Sequence, residues 1–247
     1  MNQPHPPSAR PVPDTPDTAT LVAEADVAAT PTLPTVVQDD IQQALAQAIP
    51  DRVTGSTCSE CNWFVSSPKD EHGNANVFSD LPAGGWGGTP YNDGMSVTMD
   101  PVGNCMNMMA ETPELLFPIE YEAFELRPDS AGAGKFRGGL GANFKVRFLC
   151  EGEMNMETSR TREGSPGVNG GLRSDVQRSK HLYPDGREIV IGGLTENGDW
   201  RSPLLSSHPF EYDEVFQFES TGGGGWGDPH ERPAQKVLDD VLDGYVS

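Results

Sequence analysis

Glycine and proline set the strongest limit on how this chain can fold. The sequence contains 28 glycines and 22 prolines among 247 residues, below the share of a low-complexity chain but enough to interrupt long helices. Many of the glycines are grouped, within 84–88, 132–141 and 222–227. We therefore expect short elements joined by many turns. A parallel βαβ fold is disfavoured because the helices that would connect its strands are missing.

Alternating side chains predict a mainly β region between residues 53 and 220. The segment 143–150 places Phe144, Val146 and Phe148 on one face, as a half-buried strand does. Similar patterns predict strands over 119–127 with a bulge where the parity changes, over 189–194 and over 211–220. The sequence Tyr-Pro-Asp-Gly at 183–186 predicts a tight turn.

Two short helices flank this region. One is predicted over 38–49, where Ile41, Leu45 and Ile49 recur at helical spacing before Pro50. The other is predicted over 234–243, with Gly244 as its C-terminal cap and an apolar stripe formed by Val237, Leu238, Val241 and Leu242. The predicted fold class is α+β, a β-rich and glycine-rich module over 38–247.

The first 37 residues differ in composition from the rest. Their prolines are numerous, and the first aromatic residue of the whole chain is Trp63. Such a segment buries too little apolar area to offset the entropy of ordering. We therefore expect 1–37 to be a disordered, proline-rich tail.

The charge balance narrows the classes of partner. The chain has 17 Lys and Arg against 37 Asp and Glu, a net charge of −20. Such a surface repels phosphate backbones and anionic membranes, so neither nucleic acid nor membrane is an expected partner. No stretch of about 18 apolar residues occurs, and the N-terminal residues do not form a secretory signal. The expected location is the cytoplasm.

The cysteines leave two readings open. Cys58 and Cys61 form one Cys-x-x-Cys pair, whereas Cys105 and Cys150 stand alone. A structural zinc site normally takes four ligands from two such pairs. Ordinary thiols are therefore favoured over a zinc site, and we predict no metal ligands in this chain.

Three motifs suggest chemistry, each with a plainer alternative. The segment 127–147 is a basic, glycine-rich island that suits an anion, or else a turn entering a strand with a basic face. The glycine run at 221–228 lacks the context of a dinucleotide fingerprint but permits close approach to a ligand or another chain. Asn107, Glu111 and Glu114 group an amide with two carboxylates, suited to acid–base work or merely a solvated loop, and Pro113 argues against a regular helix there.

Taken together, these motifs resemble the C-terminal part of the hydantoinase B/oxoprolinase family. The matching features are the glycine-rich segment 84–95, the spacing of Asn107, Glu111, Glu114 and Pro118, the run 127–141, and the glycine-rich tail from Thr221 onward. The resemblance covers about residues 40–247. The family includes B-type subunits of ATP-dependent N-methylhydantoinases, and related segments occur in 5-oxoprolinase and in acetone and acetophenone carboxylases.

The resemblance implies a component of an ATP-dependent cyclic-amide hydrolase, inactive alone. A partner A-type subunit would phosphorylate the substrate, and this chain would process the phosphorylated intermediate. Glu111 and Glu114 are the implied catalytic carboxylates. The implied substrate-binding residues are Asn107, Asp129, Lys135, Arg137, Gly223 and Gly224. ATP and a divalent metal are expected on partner chains, with no cofactor on this one.

The resemblance also leaves alternatives. The runner-up is a component of an ATP-dependent ketone (acetone or acetophenone) carboxylase, and the third alternative is a non-catalytic structural subunit or truncated remnant. Family B-type subunits are much longer, and the half with acidic and histidine metal ligands lies upstream of the matching part. We therefore expect the N-terminal half of the B-type subunit as a second partner, and exposed apolar surface where that half docks.

Overall fold

The computed structural model describes residues 32–59, 62–70, 72–99, 101, 103 and 108–247. The helices in this part of the chain are α1 (Thr32–Ala46), α2 (Glu111–Leu116) and α3 (Ala234–Leu242), with 3-10 turns at Pro50–Arg52 and Pro229–Glu231. The strands are β1 (Asn62–Ser66), β2 (Phe78–Asp80), β3 (Ile119–Leu126), β4 (Ala142–Phe148), β5 (Gly152–Thr158), β6 (Arg178–Leu182), β7 (Glu188–Ile191), β8 (Gly193–Leu194), β9 (Trp200–Arg201), β10 (Leu204–Phe210) and β11 (Val215–Glu219). The predicted β-rich α+β class is confirmed. Most of the predicted tail lies outside the described residues.

Two antiparallel sheets form the centre of the fold. One has the order β10-β5-β1-β2 and the other β3-β4-β11-β6-β7, while β8 and β9 pair separately. The predicted bulge in β3 is present as a register shift between Tyr121 and Ala123 opposite β4. The predicted turn at 183–186 joins β6 to β7, with Gly186 at φ +86°. The strand predicted over 211–220 begins only at Val215.

Aromatic side chains hold the two sheets together. Phe64 of β1 stacks on Phe218 of β11 with ring centroids 5.0 Å apart, and Phe148 of β4 lies 4.0 Å from Phe210 of β10. The residues of β4 are alternately buried and half-buried, which confirms the predicted pattern. Each ring removed from water contributes about 1.5–3 kcal/mol, so this layer is the main hydrophobic core.

Glycine-rich segments continue from one end of the five-stranded sheet, where β3 and β11 end and β4 and β6 begin. At their centre lies 222–227, whose successive N–H groups donate to the carbonyls of Ser130, Gly139, Ser56, Leu172, Phe136 and Val168 in that order. We call the segments 53–59, 84–88, 130–141, 164–174 and 221–227 the glycine bundle.

The glycine bundle uses glycine because its backbones touch. A methyl group at Gly223 would overlap the carbonyl of Trp86, and one at Gly224 would overlap the carbonyl of Pro166. The close approach expected for the run at 221–228 is therefore made to other segments of the same chain.

Helix α3 ends at the predicted cap. Gly244 has φ +72°, its N–H donates to the carbonyl of Val241, and the N–H of Tyr245 donates to that of Asp240. This pair of bonds is a Schellman motif, which satisfies carbonyls that a helix end leaves open. The C-terminal boundary of α3 is thus fixed by local sequence.

The apolar stripes predicted on α1 and α3 are present, but they face outward. In α1, Asp39 is buried while Ile41 is 54% exposed, and in α3, Asp240 is buried while Leu242 is 74% exposed. Helix α1 also begins and ends earlier than the predicted 38–49. None of the helices in the described part of the chain has the length and apolar character needed to cross a bilayer.

Candidate functional site

The two predicted catalytic carboxylates lie on α2. Glu111 and Glu114 occupy the first turn of this six-residue helix, and both are exposed. Glu114 Oε1 accepts the N–H of Tyr121 at 2.7 Å, which ties α2 to β3. Pro113 does not prevent the helix because proline is tolerated in a first turn. Asn107 lies outside the described residues.

A half-buried acid beside this helix was missed by the sequence analysis. Asp80, at the end of β2, accepts a hydrogen bond of 3.0 Å from the Tyr121 hydroxyl. Burial raises the pKa of Asp80, although the hydrogen bonds from the Leu81 N–H and Tyr121 oppose the shift. Burial and the neighbouring Asp80 raise the pKa of Tyr121, so its hydroxyl stays a donor. We call Asp80, Glu111, Glu114 and Tyr121 the acidic site.

Three cations of the basic island, Arg127, Lys135 and Arg137, are paired with acids of the same chain. Arg127 donates to the carbonyls of Val176 and Ser220 at 2.9 and 3.0 Å and forms an ion pair with Asp175. Arg137 Nε lies 3.0 Å from Asp240 Oδ1, with both side chains nearly buried. Lys135 Nζ lies 3.0 Å from Glu231 Oε2, and 41% of the lysine side chain is exposed. Lys135 is therefore the predicted binding cation that solvent reaches best.

The remaining predicted binding residues have partners in the fold. The N–H of Asp129 donates to the carbonyl of Tyr245, and its Oδ1 accepts the N–H of Ser247, both at 3.0 Å. Gly223 and Gly224 are buried in the glycine bundle. No hydrogen bond or ion pair between described residues joins any of these groups, or Lys135 and Arg137, to Glu111 or Glu114. Binding by these residues therefore stays a prediction.

A second feature missed from sequence is a network that holds α3, which we call the C-terminal clamp: Asp93, Arg137, Arg232 and Asp240. The Arg232 guanidinium is nearly buried and lies 2.7 Å from both Asp93 Oδ1 and Asp240 Oδ2. Burial alone would raise the pKa of Asp93, but Arg232 and then Lys236 hold it below its usual range. The clamp thus fixes which face of α3 points inward.

Two histidines meet between the two sheets, a contact that the sequence analysis did not predict. His181 on β6 is fully buried, with Nδ1 2.9 Å from His208 Nε2 on β10 and Nε2 2.9 Å from Glu214 Oε2. The His181 ring also stacks on Phe216 at 4.2 Å between centroids. The alternation of β6 places His181 on its inward face, which is the one sequence signal for this contact.

This histidine pair is expected to make stability depend on pH. Burial, followed by the nearby His208, lowers the pKa of His181 to about 4 from its ordinary 6.5. Between about pH 4 and 6.5, the unfolded chain therefore binds a proton at His181 that the folded chain does not bind. The contribution of neutral His181 to the free energy of unfolding is fully present above pH 6.5 and is lost as pH falls toward 4. The loss amounts to about 3 kcal/mol at the acid end.

Urea unfolding from pH 7.5 to 4.5 checks this expectation. The slope of stability against pH should be shallower in His181→Gln than in the parent chain. His230→Gln, which changes an exposed histidine, is the matched control and should keep the parent slope. Equal slopes for all three proteins would contradict the assignment.

The described residues contain no group of three or more His, Cys, Asp or Glu arranged to hold a metal ion. Cys58 is buried and Cys150 is half-buried, while Cys61 and Cys105 lie outside the described residues. Ordinary thiols, rather than a zinc site, therefore stay the prediction for the four cysteines.

Comparison with known proteins places this geometry in context. Residues 14–229 match the family model described as hydantoinase B/oxoprolinase. Caprolactamase subunit beta from Pseudomonas jessenii is 29% identical over 219 residues, which is 85% of this chain and 36% of that protein. The crystal structure of the ATP-dependent caprolactamase from the same organism superposes with a TM-score of 0.70 at 26% identity, covering 83% of this chain and 35% of that one.

The name of a second relative gives a different class of substrate, a ketone. The acetone carboxylase alpha subunit from Xanthobacter autotrophicus is 27% identical over 227 residues, which is 79% of this chain and 29% of that protein. The chain therefore spans about a third of the length of the curated relatives it matches. The matching part is the C-terminal portion of the family's chain.

Proposed function

The chain belongs to the hydantoinase B/oxoprolinase family, and from this premise we propose that it is part of an ATP-dependent cyclic-amide hydrolase. It would process a phosphorylated intermediate that a partner A-type subunit makes. The main support is the combination of the family match over 14–229 with the fold shared with the ATP-dependent caprolactamase. Caprolactam is a cyclic amide, as are hydantoins and oxoproline. ATP and a divalent metal are proposed to lie on partner chains.

The proposed reaction needs a positioned water more than it needs covalent chemistry on this chain. Transfer of the γ-phosphoryl group of ATP to the amide oxygen activates the ring carbon. Water adds to that carbon, the C–N bond opens to an amine and an acyl phosphate, and a second water releases phosphate and a carboxylate. A carboxylate beside the carbon can orient and deprotonate the attacking water.

Of the two predicted carboxylates, the contacts favour Glu111 for this role. Its side chain is exposed and forms no hydrogen bond or ion pair with another described residue, so it is available to a substrate. Glu114 is occupied by the N–H of Tyr121 and would position α2. Asn107 stays a predicted substrate-binding residue.

Among the predicted cations, Lys135 is the better contact for an anionic intermediate. Its ion pair with Glu231 is largely exposed, and exposed pairs contribute about 0–1 kcal/mol, so a phosphate competes with the glutamate at little cost. Arg137 is committed to Asp240 in the C-terminal clamp. We therefore expect Arg137 to act on folding and Lys135 on substrate binding.

Steady-state turnover of the assembled complex tests these assignments. The complex would contain this chain, the A-type subunit and the remaining part of the B-type subunit from the same genome, with ATP and caprolactam, hydantoin or 5-oxoproline. Glu111→Gln should lower kcat about a hundredfold or more, and Lys135→Ala should mainly raise KM. Glu120→Gln and Lys145→Ala are matched controls and should leave turnover near the parent value. Parent-like turnover in Glu111→Gln would refute its role, and this chain alone should be inactive.

Two other functions are favoured by particular observations. The match to the acetone carboxylase alpha subunit favours a ketone carboxylase component, and ATP-dependent carboxylation of acetone, with no cyclic-amide turnover, would establish it. The self-contained hydrogen bonding of the glycine bundle favours a structural subunit. Full activity of the complex without this chain would establish that alternative.

A further inference from the structure

Two helices of this chain present apolar stripes that no described residue covers. On α1 the stripe contains Val37, Ile41 and Leu45, and the helix is followed by Ile49. On α3 the stripe contains Val237, Leu238, Val241 and Leu242. Each of these side chains is between 37% and 74% exposed. We call the two sets the helix stripes.

Buried ion pairs hold both helices in this orientation. On α1, the Asp39 carboxylate meets Arg160 and accepts the Thr57 N–H at 3.1 Å. On α3, Asp240 meets Arg137 and Arg232 in the C-terminal clamp. Turning either stripe inward would pull its carboxylate away from a buried guanidinium and leave a buried charge unpaired. The stripes are therefore locked facing outward by the chain's own contacts.

A line of side-chain contacts connects the two helices. The Trp226 indole N–H donates to the carbonyl of Pro50, just after α1, at 3.0 Å. The Trp226 ring lies 6.1 Å from that of Phe136, and Lys236 of α3 lies 5.5 Å from the Phe136 ring. A partner large enough to span this line of contacts can reach both helices.

Length and charge indicate which partner this is. The curated relatives are about three times as long as their match to this chain, so most of their polypeptide has no counterpart here. A second copy of this chain is disfavoured because each copy carries a net charge of −20. Exposed acids flank the stripes at Asp40, Asp239 and Asp243. The favoured partner is therefore an apolar surface with a cationic rim.

We propose that the helix stripes dock this chain onto the polypeptide that supplies the rest of the family's B-type subunit. The proposal rests on the proposed function in one respect, the assembly of a complete B-type subunit around this chain. It is otherwise independent of the reaction, because docking is measured without turnover.

Binding measurements with matched variants test the docking surface. The probe is the purified polypeptide from the same genome that matches the part of caprolactamase subunit beta lying outside this chain's match. Ile41→Lys/Leu45→Lys and Leu238→Lys/Val241→Lys should each raise Kd at least tenfold, with unfolding temperatures near the parent value because the changed residues are exposed. Leu172→Lys and Leu204→Lys, at equally exposed apolar positions outside the stripes, are the controls and should keep the parent Kd.

Photo-cross-linking identifies the occupant directly. A benzoylphenylalanine at position 41 or 241 of the full chain should cross-link to the probe polypeptide. Cross-links to a second copy of this chain, or to its own residues 1–31, would overturn the proposal, as would a parent-like Kd in both stripe variants. If docking is lost as expected but the complete complex turns over neither cyclic amides nor ketones, the proposed function fails and the docking surface stands.

Discussion

Replacing Arg232 with alanine is expected to destabilise the chain by about 3–5 kcal/mol. The substitution leaves the carboxylates of Asp93 and Asp240 in the C-terminal clamp with one guanidinium fewer, and the Asp240 side chain is almost buried. Asp240 keeps Arg137 as a partner, but the carboxylate oxygens that faced Arg232 lose their hydrogen-bond donors in a nearly buried position, and that cost exceeds the net value of the original pairs. Equilibrium unfolding in urea at pH 7 measures the change.

The control for this prediction is Lys180→Ala. Lys180 pairs with Glu188 at 3.0 Å, but both side chains are substantially exposed, so the change should stay within about 1 kcal/mol. Arg232→Lys should fall between the two, because an ammonium keeps the charge but not the planar geometry that serves both acids. A change below 1 kcal/mol in Arg232→Ala would show that α3 is held by something other than the clamp.

A single added methyl group at Gly223 is expected to cost at least about 3 kcal/mol or to abolish folding. The methyl would overlap the carbonyl of Trp86, and backbone atoms cannot move aside without breaking neighbouring hydrogen bonds of the glycine bundle. Thermal unfolding followed by tryptophan fluorescence reports on this directly, because Trp86 and Trp226 lie in the glycine bundle.

Gly73→Ala separates packing from backbone strain. Gly73 has φ +80° with open space around it, so alanine there should cost only about 1–2 kcal/mol, from its conformation. Gly223 has no positive φ, and its whole effect is therefore steric. If Gly223→Ala were no more harmful than Gly73→Ala, the backbone contacts in the glycine bundle would have to be looser than described.

Features with a local cause were predictable from sequence. The burial alternation of β4, the bulge in β3, the turn at 183–186 and the cap at Gly244 each depend on residues within one or two turns of chain. The type of residue and its spacing carry enough information at that range.

Features that depend on residues far apart in the sequence were not predictable from it. The sequence shows which side of α1 and α3 is apolar, but Arg160, Arg137 and Arg232 decide which side is buried. The acidic site has the same origin, since Asp80 meets Tyr121 only because β2 and β3 lie in facing sheets. Glycine segments have no side-chain periodicity, so the pattern of apolar and polar residues could not predict which segments of the glycine bundle contact each other.

The position of 222–227 at the centre of the glycine bundle also determines when the protein can fold. Its hydrogen-bond partners run from Ser56 to Leu172, so every surrounding segment is synthesised before the one that unites them. A nascent chain must keep those earlier segments apart until 222–227 has been synthesised, and contacts of such sequence separation form slowly. We therefore expect this region to fold slowly and its partly folded states to be prone to aggregation.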